Sequence, residues 1–346
     1  MKKMASNRCS ILLIFTLFLF SFPFSSAHGD PLFFERTDYG VGEWPESVAT
    51  GDFDGDMALD LAVANRQGLN VSILLGAGDG TFQEAVHYST GRAPLSIATG
   101  DLDGDMILDL AVSCNGNIYN PGYVSILLGT GDGTFQVAAN YDAADGNNSV
   151  AIGDFDGDMI PDLAVAYINS WVSYYWGGVS ILLGAGDGAF QEAVHYGADN
   201  LPLSVAIGDF DGDMILDLAT ANAGYFPYPA GVSILLGAGD GTFQEAAHYG
   251  ADEDPRSVAT GDFNGDMILD LATANTLSDD VSILLGAGDG TFRRAAHYGV
   301  GDGPRFVATG DFDGNMTLDL ATANVWSDNV SILINNEPCF IGIVMK

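Results

Sequence analysis

Residues 47–65 read SVATGDFDGDMALDLAVAN, a short apolar strand, an acidic nine-residue loop and a second apolar strand. The loop, Asp52 to Asp60, carries carboxylates at positions 1, 3, 5 and 9. It returns five more times, starting at Asp101, Asp154, Asp209, Asp262 and Asp311, at intervals of 49, 53, 55, 53 and 49 residues. Such a period marks one unit copied six times rather than a string of unrelated domains.

Each unit reads as four strands. In the first they fall at about Ser47–Phe53, Leu59–Asn65, Val71–Gly76 and Thr81–Tyr88, punctuated by Gly, Asp and Asn. The third, VSILLG, is apolar on both sides and recurs from Val124, Val179, Val232 and Val281, with a last copy at Val330. A strand apolar on both faces must be covered on both. Blades packed face to face around an axis provide that cover, so the expected fold is an all-β propeller of about six four-stranded blades. The repeats fall near 47–99, 96–150, 149–206, 204–258, 257–307 and 306–336. The sixth stops after its third strand, and Phe33–Tyr39 has the character of the missing fourth. An N-terminal strand completing the last blade would close the ring and remove a pair of edges.

The chain opens with Lys2, Lys3 and Arg8, then an apolar run, Ile11–Phe20, then small residues ending at Ala27. This is the pattern of a secretory signal peptide over 1–27, leaving 28–346 as the propeller, secreted or held in a periplasm or at a cell surface. Losing the three basic residues of the leader takes the net charge from −35 to −38. Such a balance argues against nucleic acid and anionic membranes as partners. No later stretch is long and apolar enough to span a bilayer, and a monomer is expected.

The motif Gly-Asp-Phe-Asp-Gly-Asp-x-x-x-Asp-Leu, with Val-Ser-Ile-Leu-Leu-Gly and Gly-Asp-Gly-Thr-Phe behind it, resembles the FG-GAP/VCBS repeat of integrin α-subunit propellers. The resemblance implies a β-propeller with calcium in the loop between the first two strands of a blade, and ligand binding through other loops. Two departures stand out. Integrin-type propellers have seven blades (the alternative architecture here), and the family commonly has Gly at loop position 6. This chain has Met57, Met106, Met159, Met214, Met267 and Met316 there; a left-handed backbone at that position would strain them.

The residues support a hard cation on their own chemistry, since alternating carboxylates on a tight loop repel one another unless a cation gathers their oxygens. The candidate ligands are Asp52, Asp54, Asp56 and Asp60; Asp101, Asp103, Asp105 and Asp109; Asp154, Asp156, Asp158 and Asp162. They continue with Asp209, Asp211, Asp213 and Asp217; Asp262, Asn264, Asp266 and Asp270; Asp311, Asp313, Asn315 and Asp319. One Ca2+ per blade, up to six, is the expected cofactor. Magnesium or manganese would also take oxygens, but a flexible all-oxygen loop favours calcium. Position 12 is Val63 rather than Glu and the flanks are strands, so this is no EF-hand.

Aromatic residues cluster in the loops between second and third strands of three consecutive blades: Tyr119 and Tyr123; Trp171, Tyr174, Tyr175 and Trp176; Tyr225, Phe226 and Tyr228. They can either form one surface for a protein or glycan ligand or tuck over the blade tops as local cores. His87, His195, His248 and His297 repeat one per blade before a Tyr and read as structural. No nucleophile motif stands out. A non-enzymatic, adhesion- or lectin-like interaction module is therefore the favoured reading. Its rival is an extracellular hydrolase or lyase with its site at the central entrance of the propeller.

Overall fold

A computed structural model describes residues 37–116, 121–169, 176–224 and 229–335. The chain divides after Asp38 into two units; Thr37 and Asp38, the described part of the first, have no regular secondary structure. The second unit is all β, six antiparallel sheets in a propeller arrangement. Five are four-stranded and the sixth has three strands among the described residues.

Blade one is built from Pro45–Gly51, Asp60–Asn65, Asn70–Leu74 and Val86–Ser89, paired in that order. The fourth strand is shorter than the apolar pattern implies. Phe82 meets Gly76 in an isolated bridge, and Gln83 to Ala85 leave the ladder before pairing resumes at Val86. Only in blade two does this strand run unbroken from its phenylalanine, Phe135–Asp142. Second strands such as Asp109–Cys114 and Asp217–Asn222 are buried along their whole length, as strands covered on both faces must be.

There is no single central core. Five apolar clusters each span two neighbouring blades, and the first joins Phe53, Val71 and Ile73 to Ile97, Leu110 and Phe135. The first four seams carry the same joint. Phe135 lies edge-on to Tyr88 at 5.8 Å and to Phe53 at 5.4 Å; Phe243 and Phe292 repeat this on Tyr196 and Phe155, and on Tyr249 and Phe210. At the second seam Phe190 meets Tyr141, with Leu102 replacing the second ring. A hairpin glycine then donates its N–H to the carbonyl beside that ring, as Gly133 does to Phe53 and Gly241 to Phe155. Edge-to-face pairs add about 0.5–1.5 kcal/mol to the burial of the rings themselves.

Among the described residues the ends of the series do not show the complete joint. The first strands of neighbouring blades pack side by side, but those of blades one and six do not. Val48 is 60 % exposed where its counterparts Ile97, Val150, Val205, Val258 and Val307 are 2–8 %. Phe312 is likewise 49 % exposed. Behind blade five, Phe263, Tyr298, Leu318 and Leu333 line a socket of about 430 Å³, and Asn335 supplies the Nδ2–H that bonds the Phe263 carbonyl in place of a glycine. The segment expected to close the ring, Phe33–Tyr39, lies outside the described residues up to Arg36. Tyr39 itself packs edge-on to Phe82 at 5.4 Å, as Tyr88 does on Phe135.

Tyr249→Ala should therefore cost about 2–3 kcal/mol in urea unfolding, through lost burial and its ring pair, whereas Tyr298→Ala should cost under about 1 kcal/mol. Equal losses would show that a further side chain fills the socket in solution.

Candidate metal centre

Every acidic loop adopts one conformation, held by its own carboxylates. In blade one Asp52 accepts the Gly55 N–H on Oδ1 (2.8 Å) and the Met57 N–H on Oδ2 (2.9 Å). Asp56 Oδ1 accepts the Ala58 N–H at 2.7 Å. Both Gly55 and Met57 have positive φ, 77° and 70°. All six methionines lie between 66° and 70°. The left-handed backbone that the sequence flagged is thus present, at about 1–2 kcal/mol per loop. The methionine side chains offset none of it by packing, for they are 73–93 % exposed.

Position 9 is different. Asp60 is buried and uses both oxygens on backbone: Oδ2 accepts the Phe53 N–H and Oδ1 the Gly76 N–H, each at 2.7 Å. Asp109, Asp162, Asp217, Asp270 and Asp319 make the same two bonds, the last of them to Phe312 and Asn335. This residue ties the loop to the end of the third strand. Burial pushes the Asp109, Asp162, Asp217 and Asp270 carboxyls up to about 6, opposed by the two backbone N–H bonds and reinforced by the neighbouring carboxylates.

Carboxylate oxygens of positions 1, 3 and 9 converge within 4.8 Å of one another: Asp52, Asp54 and Asp60; Asp101, Asp103 and Asp109; Asp154, Asp156 and Asp162; Asp209, Asp211 and Asp217. Position 5 is not in these sets. Three hard oxygen donors around one point, each oxygen with a second lone pair, fit a Ca2+-sized cation with backbone carbonyl and water filling its shell. In the fifth and sixth loops an amide intrudes. Asn264 Nδ2 donates to Asp266 Oδ2, and Asn315 Nδ2 to Asp313 Oδ2 and the Asn335 carbonyl.

The repeated histidines have partners that the sequence reading did not pick out. His87, His195, His248 and His297 bond through Nδ1 to Ser72, Ser180, Ser233 and Ser282 at 2.8–2.9 Å. The second residue of each VSIL strand was the available signal. His248 Nδ1 also lies 3.7 Å from Asp199, and His297 Nδ1 3.7 Å from Asp252. Serine and aspartate share one ring nitrogen, and Ser233 is buried with its hydroxyl also on the Ala198 carbonyl. That arrangement cannot relay a proton from serine through the ring.

Of the aromatic loop residues, Tyr119, Trp171, Tyr174, Tyr175, Tyr225, Phe226 and Tyr228 lie outside the described residues. Tyr123 is half-buried, donates to the Thr90 carbonyl at 2.5 Å and carries the Arg92 guanidinium 5.0 Å over its ring. Trp176 is half-exposed at the rim of a cleft of about 480 Å³, which Tyr196, Asp199, Glu245 and His248 also line. Arg256 is paired with Asp254 at 2.8 Å. Cys114 is a free, buried thiol pushed up to about 12 by burial, and Cys339 lies outside the described residues. Among the described residues no helix is long and apolar enough to cross a membrane.

Fold and site together define a β-propeller whose blades each present an acidic, oxygen-lined loop. The sequence matches the FG-GAP-like repeat over residues 52–112, 154–220 and 262–322, and the chain belongs to that family. No curated protein matches it. Among solved structures it is similar to an Agrocybe aegerita lectin that recognises non-reducing terminal N-acetylglucosamine (17 % identity, 84 % of this chain and 80 % of that one, TM-score 0.53). It is also similar to BBS1N in complex with ARL6DN (13 %, 82 % and 78 %, 0.54) and to a Penicillium chrysogenum α-L-arabinanase complexed with arabinobiose (12 %, 86 % and 94 %, 0.55). At these identities the likeness is one of fold.

Two outcomes follow from the loop geometry. Asp217→Ala strands the buried N–H groups of Phe210 and Gly237 and should cost about 2–5 kcal/mol of stability, whereas Asp211→Ala should cost little stability and remove one bound cation. In EDTA the four raised carboxyls bind more protons folded than unfolded between pH 4 and pH 6, so stability should fall as pH rises through that window. Asp79, Asp132, Asp240 and Asp289, held low by their Thr hydroxyl and backbone partners (Thr130 and Thr134 at Asp132, one Thr at each of the others), act in the opposite sense only below about pH 4. Urea titrations at pH 5 and pH 7 check this; excess calcium should reverse the trend.

Proposed function

We propose that the protein is an exported, calcium-stabilised interaction module that binds a protein or glycan ligand without transforming it. The observation that carries this reading is the convergence of positions 1, 3 and 9 within 4.8 Å in successive blades. Three all-oxygen donors with a buried member suit a hard divalent ion, and their even repetition suits a scaffold role better than a single reacting centre. Calcium would offset repulsion among carboxylates that the fold holds together in the first four loops. Export rests on the leader-like residues 1–27.

Features that break the repeat support ligand binding. The cleft lies where blade three has Trp176; Asp199, which also lines it, recurs in blade four as Asp252, while the matching positions in blades one, two and five are Gly91, Ala144 and Gly301. The same cleft, with Glu245 and His248, is the observation that favours the rival hydrolase. Release of reducing sugar from a polysaccharide panel, abolished by Asp199→Asn, would establish that rival.

The first test is thermal unfolding in EDTA and in millimolar calcium, with bound metal counted on the same samples. Tm should rise with calcium, with four ions held tightly and two weakly, because Asn264 and Asn315 remove ligand charge. No shift and no metal would overturn the reading.

A further inference from the structure

The six loop methionines are the least explained residues in the fold. Each holds a left-handed backbone that glycine or asparagine would adopt more easily. Each points into solvent: Met57, Met106, Met214 and Met267 are 92–93 % exposed, Met159 89 % and Met316 73 %. The loop conformation needs only their N–H groups, which bond the position 1 carboxylate at 2.8–3.0 Å in every blade. Any residue but proline supplies that bond. The thioether side chains therefore add strain and apolar exposure and return nothing to the fold.

They also gather on one end of the propeller. First strands of neighbouring blades lie side by side in one register, the Ser47 hydroxyl accepting the Ile97 N–H and Ser96, Ser149, Ser204 and Ser257 repeating the bond along the series. Each of these strands runs directly into its acidic loop, so the loops emerge together. The next blade's Gly-Asp-Gly hairpin approaches the same end, Gly133 bonding the Phe53 carbonyl and Gly188 that of Leu102. This end is thus studded with flexible apolar side chains set among carboxylates, and the loops contain no basic residue.

We propose that this methionine-studded, acidic end docks a cationic amphipathic segment of a polypeptide, a reading that rests on the interaction-module function above. Unbranched, polarizable methionine side chains conform to the apolar face of such a segment. The carboxylates meet its Lys or Arg face, and charge complementarity is supplied by a chain of net charge −35 that stays strongly acidic with a divalent ion in every loop. An anionic partner would be repelled, and a purely charged one would leave the thioethers in water.

The test uses the full chain in millimolar calcium and a fluorescent 14-residue Leu/Lys peptide, amphipathic as a helix, beside an oligolysine of equal charge. The Leu/Lys peptide should bind at least tenfold tighter than oligolysine. Replacing all six methionines by Gly should weaken it at least tenfold while raising Tm; replacing them by Leu should keep binding. Equal binding of oligolysine, undiminished binding by the Gly variant, or a lowered Tm in that variant would each overturn the proposal. Bound calcium is counted throughout. Full metal occupancy without peptide binding sinks this surface alone, whereas absence of metal sinks the scaffold reading beneath it.

Discussion

One buried carboxylate per blade governs this structure. Asp60 and its five counterparts accept one N–H from the loop's own start and another from the end of the third strand. Two charge-assisted bonds inside the protein fix three chain segments where the ladder of the first two strands ends. With that anchor set, the loop can fold back so that positions 1 and 3 turn their oxygens toward position 9. At Asp109, Asp162, Asp217 and Asp270 the same anchor creates an electrostatic liability, since burial and neighbouring acids resist the ionised form. A cation held against this carboxylate would couple its binding to fold stability at one residue type.

The second organising contact is the seam between blades. A Phe from one blade wedged between Tyr and Phe of the one before joins the two sheets in one apolar cluster, so each blade depends on its neighbours. Blades one and six show what that dependence means. The same residue types that are buried at every inner seam, a β-branched residue in the first strand and a Phe in the loop, are half-exposed at these two ends. The two open faces are complementary by construction, because each copies one half of a seam used elsewhere.

Much of this was legible in the sequence because the repeat made it so. Six copies of one acidic loop fixed the blade number, and VSILLG with no polar side required cover on both faces. The left-handed methionine was legible only through the resemblance to a family that commonly has Gly at that position. What escaped was pairing between distant residues. Asp60 read only as a candidate cation ligand, since no local pattern shows that its carboxylate also accepts two backbone N–H groups. The Ser–His bonds were hidden because serine and histidine lie 15 residues apart on different strands. The fourth strand was overread for a related reason: Phe82 is apolar to fill the seam, not to extend a ladder.

Repetition also separates structural from functional demand. A side chain that serves the fold should be buried or bonded in every copy, as position 9 and the seam phenylalanines are at every complete joint. Position 6 fails that criterion in all six copies, with strain on the backbone and the side chain in water. Trp176 departs in the other direction, and Asp199 recurs only as Asp252, with Gly91, Ala144 and Gly301 at the matching positions of blades one, two and five, so the repeat does not require either. Cost without structural return, and presence without structural need, are the two ways a repeat protein exposes the residues it keeps for something other than its own stability.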